Sequence, residues 1–315
     1  MSESKKISTD SYKGVRDFYP EDMAVQNYIF SVWRKIAEEF NYQEYSASIL
    51  EYADIYRSKS GDEIVNDQMY VFTDKGDREV ALRPEMTPSL ARMIAARRKG
   101  LKLPLRWYSI PNCFRYERPQ RGRKREHWQL NCDIMGLAGI EAEVEIISLA
   151  YKIMKEFGAK DEDFVIKIND RNGKLKGFEL NDSQEQAARK LLDKKDKISE
   201  EEFKIESEKI LGRSAELIFE ETENIKKILS DLNNKRIKNV IFSGEIQRGF
   251  DYYTGIVFEV FDTNPENKRS LFGGGRYDNL LEMFGVEPLP TVGFGMGDVT
   301  IRDFLETHNL PTSKK

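Results

Sequence analysis

Segments with strand-like sequences follow one another in this chain and do not alternate with helical segments. Residues 105–110, 113–117 and 128–135 come in succession, and residues 69–73 are separated from residues 79–82 by a short polar turn. A parallel sheet needs a crossover connection, usually a helix, between neighbouring strands, whereas hairpins build antiparallel sheets. The order of segments therefore predicts an α+β fold in which an antiparallel sheet is flanked by helices.

Apolar spacing predicts three main helices around this sheet. The first starts at residues 20–22, where a proline and two acidic residues suit a first helical turn, and its apolar spacing continues to Phe40. A second helix covers residues 141–157 and is closed by Gly158. A third is predicted from Thr87 to about residue 99, with a proline in its first turn.

Residues 181–236 differ from the rest of the chain in composition. They are highly charged, contain only Phe203 and Phe219 as aromatic residues, and have the pattern of helices. Strand-like segments resume after them, so this stretch is not a tail. We therefore predict a helical module at residues 171–238, inserted into a domain that is built from residues 1–170 and 239–315.

Composition excludes several classes of protein. The start of the chain has no apolar run, and no stretch is long enough to span a membrane, which predicts a cytoplasmic protein without a membrane partner. Two cysteines and two histidines argue against a disulfide scaffold, a zinc site and a Ser-His-Asp or Cys-His catalytic group. We predict neither a metal-ligand set nor a permanently bound cofactor.

A basic block stands out against the net charge of −4. Residues 97–125 hold 11 Lys and Arg residues and one acidic residue, Glu117, which predicts a local anionic ligand. Arg115 and Glu117 fall on the same face of a predicted strand, and the loop that follows offers arginine forks to phosphate oxygens. His127 or Trp128 could stack on a base. The alternative is an exposed hairpin with surface ion pairs.

Two further segments carry polar groups that could bind a ligand, and two others are rich in glycine. Glu85 and Thr87 lie at a predicted strand-to-helix junction, where Glu85 could bind an ammonium group or cap the helix. Residues 248–255 combine an arginine, an aspartate and two tyrosines, which suits either a small polar ligand or aromatic core packing. Two glycine-rich segments, 273–278 and 293–297, permit close backbone approach but lack the spacing of a nucleotide-binding fingerprint.

In these segments the sequence resembles the histidyl-tRNA synthetases, a family of class II aminoacyl-tRNA synthetases. The resemblance covers about residues 13–310. Residues 13–20 resemble the N-terminal signature of the family, residues 114–136 resemble class II motif 2, and residues 292–305 resemble motif 3. Two histidine-specific motifs are matched by residues 248–255 and 274–278. The resemblance implies a class II synthetase-type sheet.

The resemblance also implies roles for individual residues in ATP- and Mg²⁺-dependent activation of L-histidine. Arg115 and Arg248 would be the catalytic cations at the α-phosphate, while Asp133 and Tyr253 would hold the imidazole. The residues implied to bind histidine are Glu85, Thr87, Arg115, Gln129, Asp133, Arg248, Tyr252, Tyr253 and Tyr277. Those implied to bind ATP are Arg115, Glu117, Arg123 and His127.

The implied partners are histidine, ATP, the acceptor stem of tRNA(His) and a second copy of the chain. The loop cations of residues 118–125 and the helical module would meet the acceptor stem through its phosphates. Homodimerisation is expected although Ser48 stands near the position of the motif 1 proline. The chain ends near the point where the anticodon-binding domain of the family begins, so we expect a catalytic core without that domain.

Thr300 stands where motif 3 usually has an arginine for the γ-phosphate, so Arg302 or a loop cation would have to substitute for it. This departure and the end of the chain leave a second interpretation, a synthetase-like regulatory subunit of ATP phosphoribosyltransferase. Residues 248–255 argue against it, because that paralogue resembles the enzyme least there. A third interpretation, a non-catalytic RNA-binding module, gives the polar residues Glu85, Gln129 and Asp133 no purpose.

Overall fold

The computed structural model describes residues 7–58, 60, 64–195, 198–213, 217–246, 252–267 and 270–313. The strands are β1 (Gln43–Glu44), β2 (Leu50–Tyr52), β3 (Tyr70–Thr73), β4 (Glu79–Leu82), β5 (Leu105–Ser109), β6 (Asn112–Phe114), β7 (Glu126–Met135), β8 (Phe164–Asp170), β9 (Val240–Phe242), β10 (Ile256–Asp262), β11 (Ser270–Arg276) and β12 (Thr291–Gly297). The α-helices are α1 (Pro20–Glu39), α2 (Ala53–Arg57), α3 (Thr87–Arg97), α4 (Glu141–Glu156), α5 (Asp182–Asp193), α6 (Glu200–Leu211), α7 (Glu223–Asn234) and α8 (Asp298–Thr307).

Nine strands form the main sheet, in the order β1-β5-β7-β12-β11-β10-β8-β9, with β6 paired to the far half of β7. Its pairings are antiparallel except at the two edges, where β1 runs parallel to β5 and β9 runs parallel to β8. Strands β2, β4 and β3 form a separate antiparallel sheet. The predicted α+β fold with a sheet flanked by helices is confirmed, and the edge pairings make the main sheet mixed.

Helices α1, α4, α7 and α8 bury their apolar faces in the main core. Trp33 of α1, Ile147 of α4 and Phe304 of α8 are completely buried there beside sheet residues such as Phe258. The predicted helices at α1, α3 and α4 are confirmed, because their apolar spacing matches the stripe that each one buries. Among the described residues, no helix is both long and apolar enough to cross a bilayer.

The strand predicted at residues 113–117 is wrong in its second half. The amide of Arg115 still donates to the Arg125 carbonyl (2.9 Å), but the amide of Tyr116 donates to the Gln68 carbonyl (2.7 Å). The amide of Glu117 bonds back to the Arg115 carbonyl (2.7 Å), so pairing with β7 stops at Phe114. Arg115 and Glu117 therefore lie on irregular backbone that leads into the basic loop, and not on one strand face.

The charged stretch folds as helices, as predicted, but these helices belong to two apolar clusters. Helices α5 and α6 surround a small cluster of their own, whose buried members are Leu175, Ala188, Leu191, Leu192, Leu217 and Phe219. Helix α7 instead buries Ile225, Ile228 and Leu232 in the main core. Helix α7 thus packs with the main core and not with α5 and α6, while the division into domains stays a prediction.

Candidate active site

Two adjoining cavities open at the centre of the main sheet. The first has a volume of about 100 Å³ and the second of about 200 Å³. The residues that line the first cavity are Glu85, Thr87, Arg115, Gln129, Asn131, Asp133, Tyr252, Tyr253, Tyr277, Gly293, Phe294 and Gly295. Those that line the second are Arg115, Glu117, Gly122, Arg123, Lys124, His127, Gln129, Leu271, Gly295, Gly297, Val299 and Thr300. Arg115, Gln129 and Gly295 line both.

The floor of the first cavity is made by β7 and β12, and glycines of β12 give its side chains room. Gly293 lies opposite Asp133 in the strand register, and Gly295 lies opposite Asn131. A Cβ atom at Gly293 would overlap the Asp133 carboxylate, and one at Gly295 would overlap the Gln129 amide. The glycine-rich segment at residues 293–297 is therefore a central strand that lets polar side chains lie flat across the sheet.

Asp133 is the buried acid at the end of the first cavity. It is 4% exposed and accepts a hydrogen bond from the Tyr277 hydroxyl. Burial raises the pKa of its carboxyl to about 7, and the hydrogen bond from Tyr277 acts in the opposite direction. Rings of Tyr252 and Tyr253 stand 4.9 Å apart between centroids beside it, so the acid faces a pocket that suits a flat ring with N–H groups.

Glu85 is a second buried carboxylate in the first cavity. It accepts hydrogen bonds from the hydroxyls of Ser60 and Tyr252, the latter at 3.2 Å. Burial raises the pKa of Glu85, while these two bonds and the charge of Arg115 oppose the rise. No side-chain hydrogen bond caps α3, so the alternative role of Glu85 as a helix cap is wrong. Its carboxylate is available to an ammonium group.

Arg115 joins the two cavities. Its Nε donates to the backbone carbonyl of Pro84 (2.8 Å), which fixes the plane of the guanidinium. In the second cavity, Arg123 forms an ion pair with Glu117 at 3.2 Å. Burial, and then the positive charges of Arg115 and Arg16, lower the pKa of His127 to about 3. The imidazole is thus a neutral aromatic ring at neutral pH, which suits stacking on a base.

Every predicted histidine-binding residue that the structure describes lines the first cavity, and every predicted ATP-binding residue lines the second. Arg248 lies outside the described residues. The roles assigned to all of these residues remain predictions. Asn131 and Phe294 were missed as site residues, since only the register of β7 and β12 brings them into the cavity, and the glycines of residues 293–297 were singled out only for close backbone approach. Arg302 bonds to Asp22 and Glu306, so the structure does not support its predicted role in place of the motif 3 arginine at the second cavity.

Solved structures share this architecture. A histidyl-tRNA synthetase from Nostoc sp. PCC 7120 superposes with a TM-score of 0.79 at 22% identity, over 98% of this chain and 78% of that one. A Bacillus halodurans structure described as an ATP phosphoribosyltransferase regulatory subunit/histidyl-tRNA synthetase gives 0.74 at 23% identity, over 96% of this chain and 84% of that one. The fold is that of the class II aminoacyl-tRNA synthetases.

Sequence comparison narrows this class to one family. The family profile described as Histidyl-tRNA synthetase matches residues 14–208 and 198–298. A histidine–tRNA ligase of Leptospira biflexa is 45% identical over 97% of this chain and 76% of its own length. The chain belongs to the histidyl-tRNA synthetase family. The prediction of an enzyme of this family is confirmed by such curated relatives, at 36–45% identity.

Proposed function

We propose that the chain activates L-histidine with ATP to form histidyl-adenylate and then transfers histidine to tRNA(His). The observation that carries this proposal is that Arg115 lines two adjoining cavities of different character. One cavity holds buried acids and tyrosines, and the other is lined by loop cations and an imidazole. An amino acid in the first and a nucleotide in the second would therefore meet at one guanidinium.

Histidine fits the first cavity by its chemistry. The α-amino group would be held by Glu85, Thr87 and Gln129, and the imidazole nitrogens by Asp133 and Tyr253. A side chain that lacks two ring nitrogens would leave Asp133 buried without a ligand partner, which disfavours it strongly. Tyr252 and Tyr277 would complete the wall, with Tyr277 orienting the Asp133 carboxyl through its hydrogen bond.

ATP would occupy the second cavity as its Mg²⁺ complex. His127 would stack on the adenine, while Arg115 and Arg123 would contact phosphates. Glu117 is the one carboxylate among the described residues that line this cavity, and no group of three potential metal ligands occurs in the described part of the chain. This composition suits a metal ion that arrives bound to phosphate oxygens and needs one or two protein ligands.

The reaction needs positioned charge and no side-chain nucleophile. A carboxylate oxygen of histidine attacks the α-phosphorus, the bond to the β-phosphate oxygen breaks, and pyrophosphate leaves. Arg115, with Arg248 in its predicted role, would stabilise the negative charge that builds on the α-phosphate oxygens. In the second step, the terminal ribose hydroxyl of the tRNA attacks the histidyl carbonyl carbon and AMP leaves.

The tRNA acceptor stem is the proposed partner of the basic loop at residues 118–125 and of the helical module. Arg118 and Arg121 of the loop are exposed, so their charges are accessible to phosphates. Because aminoacyl-tRNA serves protein synthesis, the proposed compartment is the cytoplasm.

Histidine-dependent ATP–pyrophosphate exchange tests the proposal. We expect exchange with histidine and none with other amino acids, and we expect Asp133→Asn and Arg115→Met to reduce it by at least about 10²-fold. Asp161→Asn is the matched control, since Asp161 is exposed outside both cavities. Exchange that is independent of histidine, or that survives Asp133→Asn unchanged, would contradict the assignment.

The second candidate function is a regulatory subunit of ATP phosphoribosyltransferase that binds histidine without activating it. It is favoured by the description of the Bacillus halodurans neighbour and by the uncharged Thr300 at the second cavity. Histidine binding measured by calorimetry, together with absence of exchange, would select this candidate over the ligase.

A second copy of the chain is the proposed partner of the small sheet. One face of this sheet is apolar and exposed, with Leu50 at 45%, Tyr52 at 55% and Phe72 at 46% exposure. The register places six apolar side chains on this face, which are Leu50, Tyr52, Tyr70, Phe72, Val80 and Leu82. Such a face usually marks an interface, and symmetric dimers are the commonest assembly.

Light scattering of the purified chain tests this dimer. Phe72→Lys is expected to give a monomer, whereas the control Ile241→Lys, also at an exposed apolar position but on β9, keeps the dimer. A wild-type chain that is monomeric at micromolar concentration would contradict the proposal.

A further inference from the structure

The second cavity has one charged wall and one uncharged wall. The cations that line it are Arg115, Arg123 and Lys124, which all come from the segment between β6 and β7. The opposite wall, made by β11, β12 and α8, contributes only Leu271, Gly295, Gly297, Val299 and Thr300. Among the residues that the structure describes, an anion in this cavity would therefore find its positive partners on the loop side alone.

Two of these three cations already have partners. Arg123 is paired with Glu117 at 3.2 Å, and Arg115 uses its Nε on the Pro84 carbonyl. Lys124 differs, because within the described ranges of the chain its ammonium makes no hydrogen bond and no ion pair. Burial raises the pKa of the nearby Asp303 carboxyl, and the charges of Arg121 and Lys124 oppose that rise. Because Lys124 and Asp303 form no ion pair, the half-buried ammonium at the cavity wall is available to a ligand anion.

The backbone fixes where Lys124 lies. Gln120 and Arg123 exchange two backbone hydrogen bonds, of 3.2 and 3.0 Å, so the loop is a tight hairpin with Gly122 at its tip. Gly122 has a φ of +74°, and the position of its missing Cβ is 3.8 Å from the methyl group of Thr300. The hairpin therefore folds over the start of α8, and Lys124 follows it directly.

Helix α8 supplies no cation to this side of the cavity. The hydroxyl of Thr300 is used on the Leu271 carbonyl (2.7 Å), which leaves its methyl group toward the loop. Arg302, two residues further along α8, is held by Asp22 (3.2 Å) and Glu306 (2.9 Å). Arg121 at the hairpin tip donates to Thr307 (3.1 Å) and stands 3.9 Å from Asp303.

We infer that Lys124 binds the terminal phosphates of the nucleotide and so supplies the positive charge that α8 lacks at Thr300. The inference rests on the proposed function in one respect, that the second cavity receives ATP. A compact ammonium suits this task, because it can neutralise the β- and γ-phosphates without the bidentate geometry of arginine. The α-phosphate, nearest the amino acid, stays with Arg115.

Equilibrium binding of ATP and of AMP to the full chain tests the inference. Lys124→Met is expected to weaken ATP binding by about tenfold or more, the effect of one lost bond between charged groups, and to leave AMP binding within about twofold. Lys124→Arg keeps the charge and is expected to retain the preference for ATP. Lys99→Met, at an exposed lysine beyond α3, is the matched control and should change neither affinity.

Three results would overturn the inference: equal losses for ATP and AMP in Lys124→Met, unchanged ATP binding in that variant, or a wild-type chain that does not bind ATP. Thermal unfolding of each variant confirms that it is folded. The binding test of Lys124 is independent of the test of the proposed function. The exchange assay on the wild-type chain decides the proposed function. A chain that lacks exchange but loses its ATP preference in Lys124→Met would retain this inference and refute the ligase.

Discussion

Gly293 of β12 lies directly opposite Asp133 of β7, and the Asp133 carboxylate fills the space that a side chain at Gly293 would take. The acid can lie across the neighbouring strand only because that strand has no side chain there. The shape of the first cavity therefore depends on the glycine at residue 293, because a side chain there would displace the Asp133 carboxylate.

Gly293→Ala should damage the first cavity more than the fold. The added methyl group would push Asp133 out of place, so we expect kcat/KM for histidine to fall by about 10²-fold, and overpacking to cost about 1–3 kcal/mol of unfolding free energy. Histidine-dependent exchange and urea denaturation measure the two effects. Gly100→Ala is the control, because no atom of the described residues outside its chain neighbours lies within 4 Å of a Cβ added there. Normal histidine kinetics in Gly293→Ala would contradict the coupling.

Asp133 should also make stability depend on pH. Its folded pKa of about 7 lies above the value of about 3.9 in an unfolded chain, so between these values the folded state holds a proton that the unfolded state has lost. The contribution of Asp133 to the unfolding free energy therefore falls as pH rises from about 4 to about 7. We expect the difference between Asp133→Asn and the wild type to grow in favour of the variant over this window, in urea denaturation. If the difference in unfolding free energy between Asp133→Asn and the wild type stays constant with pH, the predicted titration of Asp133 is wrong.

His127 should make the unfolding free energy depend on pH in the opposite direction. Its folded pKa of about 3 lies below the unfolded value of about 6.5, so the unfolded chain binds the proton first and stability is lost as pH falls through this range. His127→Phe is expected to reduce this acid sensitivity and to keep ATP binding within about threefold, because an aromatic ring remains for stacking. His127→Gln also removes the charge but cannot stack. Equal ATP affinities in the two variants would show that stacking has no role.

Sequence patterns predicted the helices well because α1 and α4 each bury a periodic apolar stripe. The same reasoning could not recognise β11 and β12 as central strands, since their glycines have low strand propensity and gain their place only by pairing with distant segments. Strand alternation also failed after Phe114, where the amide of Arg115 bonds to the Arg125 carbonyl and the amide of Tyr116 leaves β7 for the Gln68 carbonyl. The site residues were found through the family resemblance, which encodes contacts between segments that no local pattern contains.

Asp298 should be the carboxylate that holds the edge of the second cavity in place. It is completely buried at the first position of α8, and it accepts bonds from Arg16 (2.7 Å), Gln26 (3.0 Å) and the backbone amide of Trp128 (2.9 Å). Trp128 lies in β7 between two residues that line this cavity. Losing Asp298 would therefore loosen β7 at the second cavity as well as leave the Arg16 guanidinium without its partner.

We expect Asp298→Ala to cost about 3–5 kcal/mol of unfolding free energy, the usual effect of breaking a buried ion pair. Arg16→Met should cost a similar amount, and the double variant less than the sum, because each single change leaves a charge unpaired. Arg302→Met is the control: its pair with Asp22 is about 30% exposed on both sides and should contribute at most about 1 kcal/mol. Urea denaturation of the four variants measures these energies, and additive losses for Asp298 and Arg16 would show that the pair does not act as a unit.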